Sequence, residues 1–335
     1  MHEVREWRNV DRETFQSEIV AQDKPAVLKS LVCEWPALKA AARSPAEFTS
    51  YLSQYDVGKK IPVCVGPPAI KGRFFYNDDL RGFNFDSVDR TLMSTLRALG
   101  AAELQEPPSI AMQGMSIAEN LPGFCDENYL SLLDESVLPR MWLGNKTITA
   151  THYDTSQNIA CAVAGRRRIT FFPPEQIANL YPGPLLRTPG GAHVSMVDLR
   201  EPDFSRYPMY EDALATASQA EIEPGDAVYI PSLWWHNVES LDKFSVQVNY
   251  WWGRSEATEV TPYQSLLHSL LTIPNLPIEK RKVWKAFFDY FVFRTDHEPA
   301  AHLPADLEDI IGTLPPERKS RLMKQLGERL CAEDL

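Results

Sequence analysis

Between residues 108 and 252 the chain is cut into short β-rich runs, and that rhythm leaves few folds open. Ile110 to Gln113, Met141 to Leu143, Ile159 to Val163, Ile169 to Phe172, Ala227 to Ile230 and Phe244 to Trp252 are rich in branched and aromatic residues. Gly144, Gly165, Pro173-Pro174, Pro182-Gly183-Pro184, Gly190-Gly191 and Pro224-Gly225-Asp226 punctuate them. Many short strands joined by tight turns predict a mostly β fold, a sandwich or a jelly-roll barrel of the double-stranded β-helix kind. The stretch 175–220 is long, proline-rich and without period, as lids and binding loops are.

The flanks read differently. Asp11 can open a short helix with Phe15, Ile19 and Val20 on one face, Pro25 to Leu28 is a short strand, and Trp35-Pro36-Ala37 ends the next segment. Ser44, Pro45 and Glu47 combine an N-cap, a first-turn proline and an early acid, so a helix burying Phe48, Tyr51 and Leu52 follows. Ile61 to Val65 reads as an edge strand, because Pro62 cannot donate to a ladder. Val88, Leu92, Leu96 and Leu99 predict one amphipathic helix from Phe85 to Leu104. From 262 the chain is helical again, with Leu266, Leu267, Leu270 and Leu271 before Pro274 and Val283, Trp284, Phe287, Phe288 and Phe291 after it. A break at His297 to Pro299 precedes a last helix from Pro315 to Leu330. The expected organisation is an N-terminal α/β elaboration (1–107), a barrel core (108–260) and a C-terminal helical extension (261–335).

Charge narrows function before any motif does. A net charge of −11 and a pI near 5.2 argue against a generic binder of nucleic acid or of anionic membranes. The five cysteines, Cys33, Cys64, Cys125, Cys161 and Cys331, form no C-x-x-C pair, so neither a disulfide framework nor a zinc ribbon is expected. Met1 to Trp7 has no apolar leader, and no run approaches the roughly 18 apolar residues of a membrane span. The expectation is a cytoplasmic protein with reduced thiols and no membrane partner.

His152 and Asp154 stand two residues apart in Thr149-Ala150-Thr151-His152-Tyr153-Asp154, a spacing that aims both to one side of a strand. His236, after Trp234-Trp235, supplies a second imidazole 82 residues beyond Asp154. Two histidines and a carboxylate form the facial triad of non-haem Fe(II) oxygenases, which leaves adjacent metal positions open. His2, His268, His297 and His302 lie outside the β region, and of the remaining three only His152 and His236 adjoin recognisable strands. Taken alone, H-x-D is also ordinary polar surface, and a histidine beside two tryptophans is also an ordinary packed residue.

Activating O2 at such a triad needs a molecule that chelates iron and supplies two electrons, and 2-oxoglutarate does both. Its distal carboxylate then needs a fixed cation. Gly165-Arg166-Arg167-Arg168 offers three. In an extended segment Arg167 shares a face with Ile169 and Phe171, and points inward if those residues line the barrel, with Arg166 and Arg168 solvated. A basic hairpin corner with all three arginines exposed is the other reading.

These residues resemble a known family, the Jumonji-C, cupin-like Fe(II)- and 2-oxoglutarate-dependent oxygenases, especially the branch of the asparaginyl hydroxylase that inhibits hypoxia-inducible factor. The resemblance runs with interruptions from Lys24 to Trp252. It is densest in Thr149-x-x-His152-Tyr153-Asp154-x-x-x-Asn158, Phe172-Pro173-Pro174-Glu175-Gln176, Leu180-Tyr181-Pro182, Pro202-Asp203-Phe204-x-Arg206-Tyr207-Pro208, and Pro224-Gly225-Asp226 with Tyr229-Ile230-Pro231 running into Trp234-Trp235-His236. Pro25-Ala26-Val27 and Trp35-Pro36-Ala37 are similar to the family's N-terminal signature.

The resemblance implies that His152, Asp154 and His236 hold Fe(II), with 2-oxoglutarate and O2 taking the open positions. It further implies that Thr149 gives a hydroxyl to the 2-oxoglutarate carboxylate, that Asn158 and Asn249 flank it, and that Trp251 is a nearby wall. Arg167 stands where the family commonly has lysine, which keeps the charge and changes the bonding geometry. Two positions depart from the asparaginyl hydroxylase. Ala111 replaces its co-substrate tyrosine, and its peptide-gripping Arg-Gln pair has no counterpart in Gly190-Gly191-Ala192-His193-Val194-Ser195. His193 is therefore either a substrate contact or an exposed loop histidine. The implied reaction is hydroxylation of an unidentified protein side chain or small molecule, releasing succinate and CO2; a modified amino acid or an RNA base would be other acceptors. The competing class is a non-catalytic or differently metallated cupin-like binding protein, which would have no need of Thr149, Arg167 and Asn249. A histone demethylase is disfavoured, because no reader module or zinc cluster accompanies the barrel. The related hydroxylase's C-terminal dimer implies a homodimer through the apolar helical faces of 262–335.

Overall fold

Residues 1–100, 107–253, 261–304, 307–312 and 314–331 are described in the computed structural model of the chain. Its strands, in order, are β1 (His2–Glu3), β2 (Glu6–Arg8), β3 (Ala26–Lys29), β4 (Lys60–Gly66), β5 (Arg73–Phe74), β6 (Asp86–Thr91), β7 (Ser109–Ser116) and β8 (Arg140–Gly144). They continue as β9 (Ile148–Tyr153), β10 (Gln157–Ala164), β11 (Arg167–Phe172), β12 (His193–Val194), β13 (Ser218–Ile222), β14 (Ala227–Ile230), β15 (Trp235–Ser240) and β16 (Ser245–Trp252). The larger sheet has the order β2-β3-β14-β10-β16-β8-β7-β4-β6, and the smaller β1-β13-β11-β15-β9-β12, with β5 also against β9.

Alternation along the strands decides what each face does. On β10, Ile159, Cys161 and Val163 pack outward with Val246, Val248 and Tyr250 of β16 into a core that also holds Phe15, Phe48, Leu52, Leu92, Leu96 and Phe124. The intervening Ala160 and Ala162 face the other way and meet Ile169 and Phe171 of the smaller sheet, together with Val27, Ile222, Val228 and Ile230. This second, smaller core closes the two sheets on each other in a jelly-roll arrangement. A period of two thus sorts β16 into an apolar outer row and an inner row of Ser245, Gln247, Asn249 and Trp251. The β10–β11 connection, which is not a hairpin but crosses from the larger sheet to the smaller, turns at Gly165, whose φ of +70° and close approach to Phe244 and Ser245 both require the missing side chain.

Several local expectations are corrected. The helix expected from Phe85 begins only at Leu92 and runs to Gly100, while its proposed end at Leu104 lies outside the described residues. Asp86 to Thr91 is instead the strand β6, paired with β4 and carrying Val88 outward at 41% exposure. Consequently β4 is not an edge strand: β6 and β7 flank it on either side. Pro62 is tolerated because the β7 ladder starts only at Val63, so the strand has a single neighbour at the proline. Trp35 does not end a segment either, since Pro36 opens the helix Pro36–Arg43 with its ring at the first turn. The 175–220 stretch holds β12, the helix Tyr210–Thr216 and the first residues of β13. The N-terminal segment joins the barrel sheets directly, β3 lying beside β14 and β4 beside β7.

The chain divides into two units, Met1–Arg254 and Ser255–Leu335. In the second, Thr261 and Gln264 form a reciprocal capping box around Pro262 and start the helix Pro262–Thr272. Helices Ile278–Phe288 and Pro316–Cys331 follow. Leu271, Val283, Trp284, Phe287, Val292 and Phe293 are all exposed large apolar side chains in this unit. No helix among the described residues is long and apolar enough to cross a membrane.

Candidate metal and co-substrate site

His152 lies on β9 opposite His236 on β15, and His236 lies opposite Phe171 of the inter-sheet core, so both imidazoles point into the barrel. One ligand atom from each of His152, Asp154 and His236 falls within 4.8 Å of the others. His152 Nδ1 is 2.8 Å from the Ala150 carbonyl and His236 Nδ1 is 3.0 Å from the Trp234 carbonyl. Each Nδ1 is then the N–H donor, which leaves each Nε2 lone pair for a metal. Burial, and the neighbouring His152, hold the His236 imidazolium well below the ordinary histidine range, so the ring is neutral and can ligate. Trp251 Nε1 donates to Asp154 Oδ2 at 3.2 Å and fixes the carboxylate. The donor set, two oriented neutral imidazoles and an anchored carboxylate, fits a divalent iron with an open face.

Thr149 is three residues before His152, and in a regular strand the two would face opposite ways. A register shift between His236 and Val238 resolves this: Thr149 pairs with Val238 while His152 pairs with His236, leaving Ala150 and Thr151 opposite Asn237. This β-bulge returns Thr149 to the inner face, beside Val238, which packs against the inter-sheet core. A second constraint comes from Leu233, held at φ +66° with its N–H donating to the Asp154 carbonyl at 2.7 Å. That tight turn delivers Trp234-Trp235-His236 to the site.

The three arginines separate as the inward reading expects. Arg166 bonds Asp242 through Nε and Nη2, and Arg168 bonds Glu221 and Glu239, all towards solvent. Arg167, between them, is 6% exposed and shares the inner face with Ile169 and Phe171. Its Nε is sealed without a partner, and no carboxylate pairs with it among the described residues. Burial pushes its guanidinium down to about 10, still fully charged near neutrality. An enclosed cation lacking an anion fits a dicarboxylate co-substrate.

Asn158 and Asn249 also face inward. Asn249 Nδ2 donates to Asn158 Oδ1 at 3.0 Å, and Gln247 Nε2 donates to Asn249 Oδ1 at 2.6 Å. Gln247 was missed from the sequence, although the alternation Ser245-x-Gln247-x-Asn249 against Val246, Val248 and Tyr250 marks one polar row. Ala111 sits beside Gly144, which in turn sits beside Ser245 on the same inner wall, so the position expected to replace the asparaginyl hydroxylase's tyrosine presents only a methyl group there. His193 is not an exposed loop histidine: it is 9% exposed on β12, paired with Tyr153 next to the metal-facing His152. Around it, Tyr76 Oη donates to the Arg187 carbonyl, and Gly190 approaches Gln113 of β7, so the 183–193 loop reaches from one sheet to the other.

Comparison with known proteins agrees with this geometry. A family model described as a cupin-like domain matches residues 12–258. A lysine-specific demethylase, JMJ31, of Arabidopsis thaliana is 35% identical over 132 residues, 39% of this chain and 22% of that protein. JmjC domain-containing protein D of Dictyostelium discoideum is 27% identical over 245 residues, 69% of this chain and 52% of its own length. tRNA wybutosine-synthesizing protein 5 of Danio rerio is 28% identical over 272 residues, 75% of each chain. The match thus spans about half or less of the first two relatives.

Proposed function

The chain belongs to the cupin-like domain family and carries a JmjC-type domain of the Fe(II)- and 2-oxoglutarate-dependent oxygenase class, and on that premise we propose that it hydroxylates a protein side chain or a small molecule. The observation that carries this reading is the pairing of an inward His152–Asp154–His236 cluster with a buried, unpaired Arg167 on the same inner wall. With Fe(II), 2-oxoglutarate and O2 bound, the site supplies a two-electron oxidation that places one oxygen atom into a C–H bond and releases succinate and CO2.

The residues of the chain do the rest. His152 and His236 would offer Nε2 because both Nδ1 atoms are bound to backbone carbonyls, and Asp154 would offer its carboxylate, whose Oδ2 accepts from Trp251 and lies 3.9 Å from His236 Nε2. Arg167 neutralises the distal carboxylate of 2-oxoglutarate, and Thr149 and Asn158 donate to its oxygens. A site that holds co-substrate donors as well as metal ligands supports catalysis over a purely binding cupin. Ile169, Phe171 and Val238 keep water from the inner end of the cavity.

A nucleotide acceptor is a second reading. It is favoured by the tRNA wybutosine-synthesizing relative, whose match takes in 75% of this chain, and opposed by the net charge of −11. Metal-loaded protein mixed anaerobically with 2-oxoglutarate should develop a visible charge-transfer band. With air and cell extract it should release succinate and yield a product one oxygen atom heavier by mass spectrometry. Absence of both band and succinate would refute the oxygenase reading; the product itself decides between protein, metabolite and nucleotide.

A further inference from the structure

Three amides run in series across the inner face of the larger sheet. Gln247 donates from Nε2 to Asn249 Oδ1 at 2.6 Å, and Asn249 donates from Nδ2 to Asn158 Oδ1 at 3.0 Å. A primary amide has a donor end and an acceptor end, so such a series has a direction. With Gln247 donating, Asn249 accepts on oxygen and donates with nitrogen, and Asn158 in turn accepts on oxygen. Asn158 Nδ2 has no protein partner among the described residues, and its side chain shares the inner row with Ala160 and Ala162, facing the strand that carries Arg167.

We propose that Gln247 is a positioning residue for the co-substrate: it sets the direction of the amide series, so that Asn158 presents an N–H donor to the cavity rather than a carbonyl oxygen. The inference rests on the oxygenase reading above. 2-Oxoglutarate offers two carboxylates and a ketone, all acceptors. A reversed series would set Asn158 Oδ1 against one of them and exchange a hydrogen bond for a repulsion. Gln247, Asn249 and Asn158 are 7%, 3% and 2% exposed, so water is poorly placed to relieve the mismatch.

Two substitutions separate direction from mere presence. Gln247→Glu keeps the shape, but an ionised carboxylate only accepts, so Asn249 must turn to donate to it and the series reverses. Gln247→Met keeps the volume with neither donor nor charge, so the series is released without being reversed. Anaerobic titration of metal-loaded protein with 2-oxoglutarate, read by the charge-transfer band, measures co-substrate affinity. The visible absorption of Co(II), titrated separately, measures the metal site, and thermal unfolding reports the fold. The expected result is a loss of 2-oxoglutarate affinity of about fivefold in Gln247→Met and about a hundredfold in Gln247→Glu, with Co(II) binding unchanged in both. A role confined to packing would lower Co(II) binding and the unfolding midpoint along with the co-substrate. Unchanged 2-oxoglutarate affinity in both variants overturns the proposal, as does a matching loss of Co(II) binding. Wild-type protein that forms no band would instead overturn the oxygenase reading, and this inference with it, so the wild-type titration tells the two failures apart.

Discussion

Replacing Arg167 by methionine should have two effects of opposite sign. The guanidinium is enclosed on the inner wall with its Nε unpartnered, and burial pulls it from its ordinary value down to about 10. At about 1.4 kcal/mol per pH unit, that displacement corresponds to about 3 kcal/mol of folding free energy given up to keep the charge inside. The fold lowers the pKa of a base, so this penalty is in force throughout the neutral range and eases only as pH rises through 10. Methionine of similar length removes the charge and retains much of the apolar contact. The ligand-free variant should therefore be more stable than wild type by about 1–3 kcal/mol, or about 5 °C in unfolding midpoint for a unit of this size. The same change removes the cation that meets the distal carboxylate, and 2-oxoglutarate affinity should fall by about a hundredfold or more. Thermal unfolding in buffer free of 2-oxoglutarate measures the first effect, and anaerobic titration of the Fe(II)-loaded protein measures the second. A ligand-free Arg167→Met that melts below wild type would show that the arginine is paired and structural. Co-substrate binding at wild-type strength would show that the anion sits elsewhere. Either result refutes the assignment.

Other tests bear on the metal, the turn and the assembly. Asp154→Ala should abolish stoichiometric Co(II) or Fe(II) binding, measured by equilibrium dialysis and elemental analysis, while the fold survives because the carboxylate is partly exposed; full metal retention would count against the triad. Leu233→Val should unfold about 1 kcal/mol more easily than Leu233→Gly, because a branched side chain strains a backbone at φ +66° that glycine adopts freely. Equal midpoints by denaturant titration would mean that the turn stores no strain. The exposed Trp284 and Phe287 motivate a homodimer through the C-terminal helices, which sedimentation at micromolar concentration should detect and Trp284→Glu with Phe287→Glu should dissociate. A wild-type monomer under those conditions removes the dimer.

The jelly roll was legible because its evidence is local: many short branched and aromatic runs with glycine and proline turns between them. Family membership was legible as well, while the nearness to the asparaginyl hydroxylase is not what the relatives named above carry. What escaped depends on pairing that no local window contains. Asp86 to Thr91 passes for a helical start because Val88 lies four residues before Leu92, yet its neighbour is β4 across the sheet. Pro62 suggested an edge because the extent of the β7 ladder is a property of the partner strand. At the site, His152, Asp154 and His236 could be picked out by spacing, but strand parity would have turned Thr149 away from them. Only the bulge opposite Asn237 brings it back. His193 was ambiguous because burial of a glycine-flanked loop is decided by what it pairs with, here Tyr153 of β9.

The strand that carries His152 is held unequally on its two sides. Towards the sheet interior β9 runs beside β15 for most of its length. On the other side its partners among the described residues are two-residue strands, β5 at Ile148 and Thr149 and β12 at His152 and Tyr153. Strands so short add little protection, and they can detach while the β15 ladder and the cores beneath it stay formed. Exchange of metal with solvent is then expected to follow the opening of that narrow border, on a timescale set by a few hydrogen bonds, and to be decoupled from global unfolding. Amide exchange at residues 193–195 and the rate of metal loss to a chelator should consequently rise and fall together.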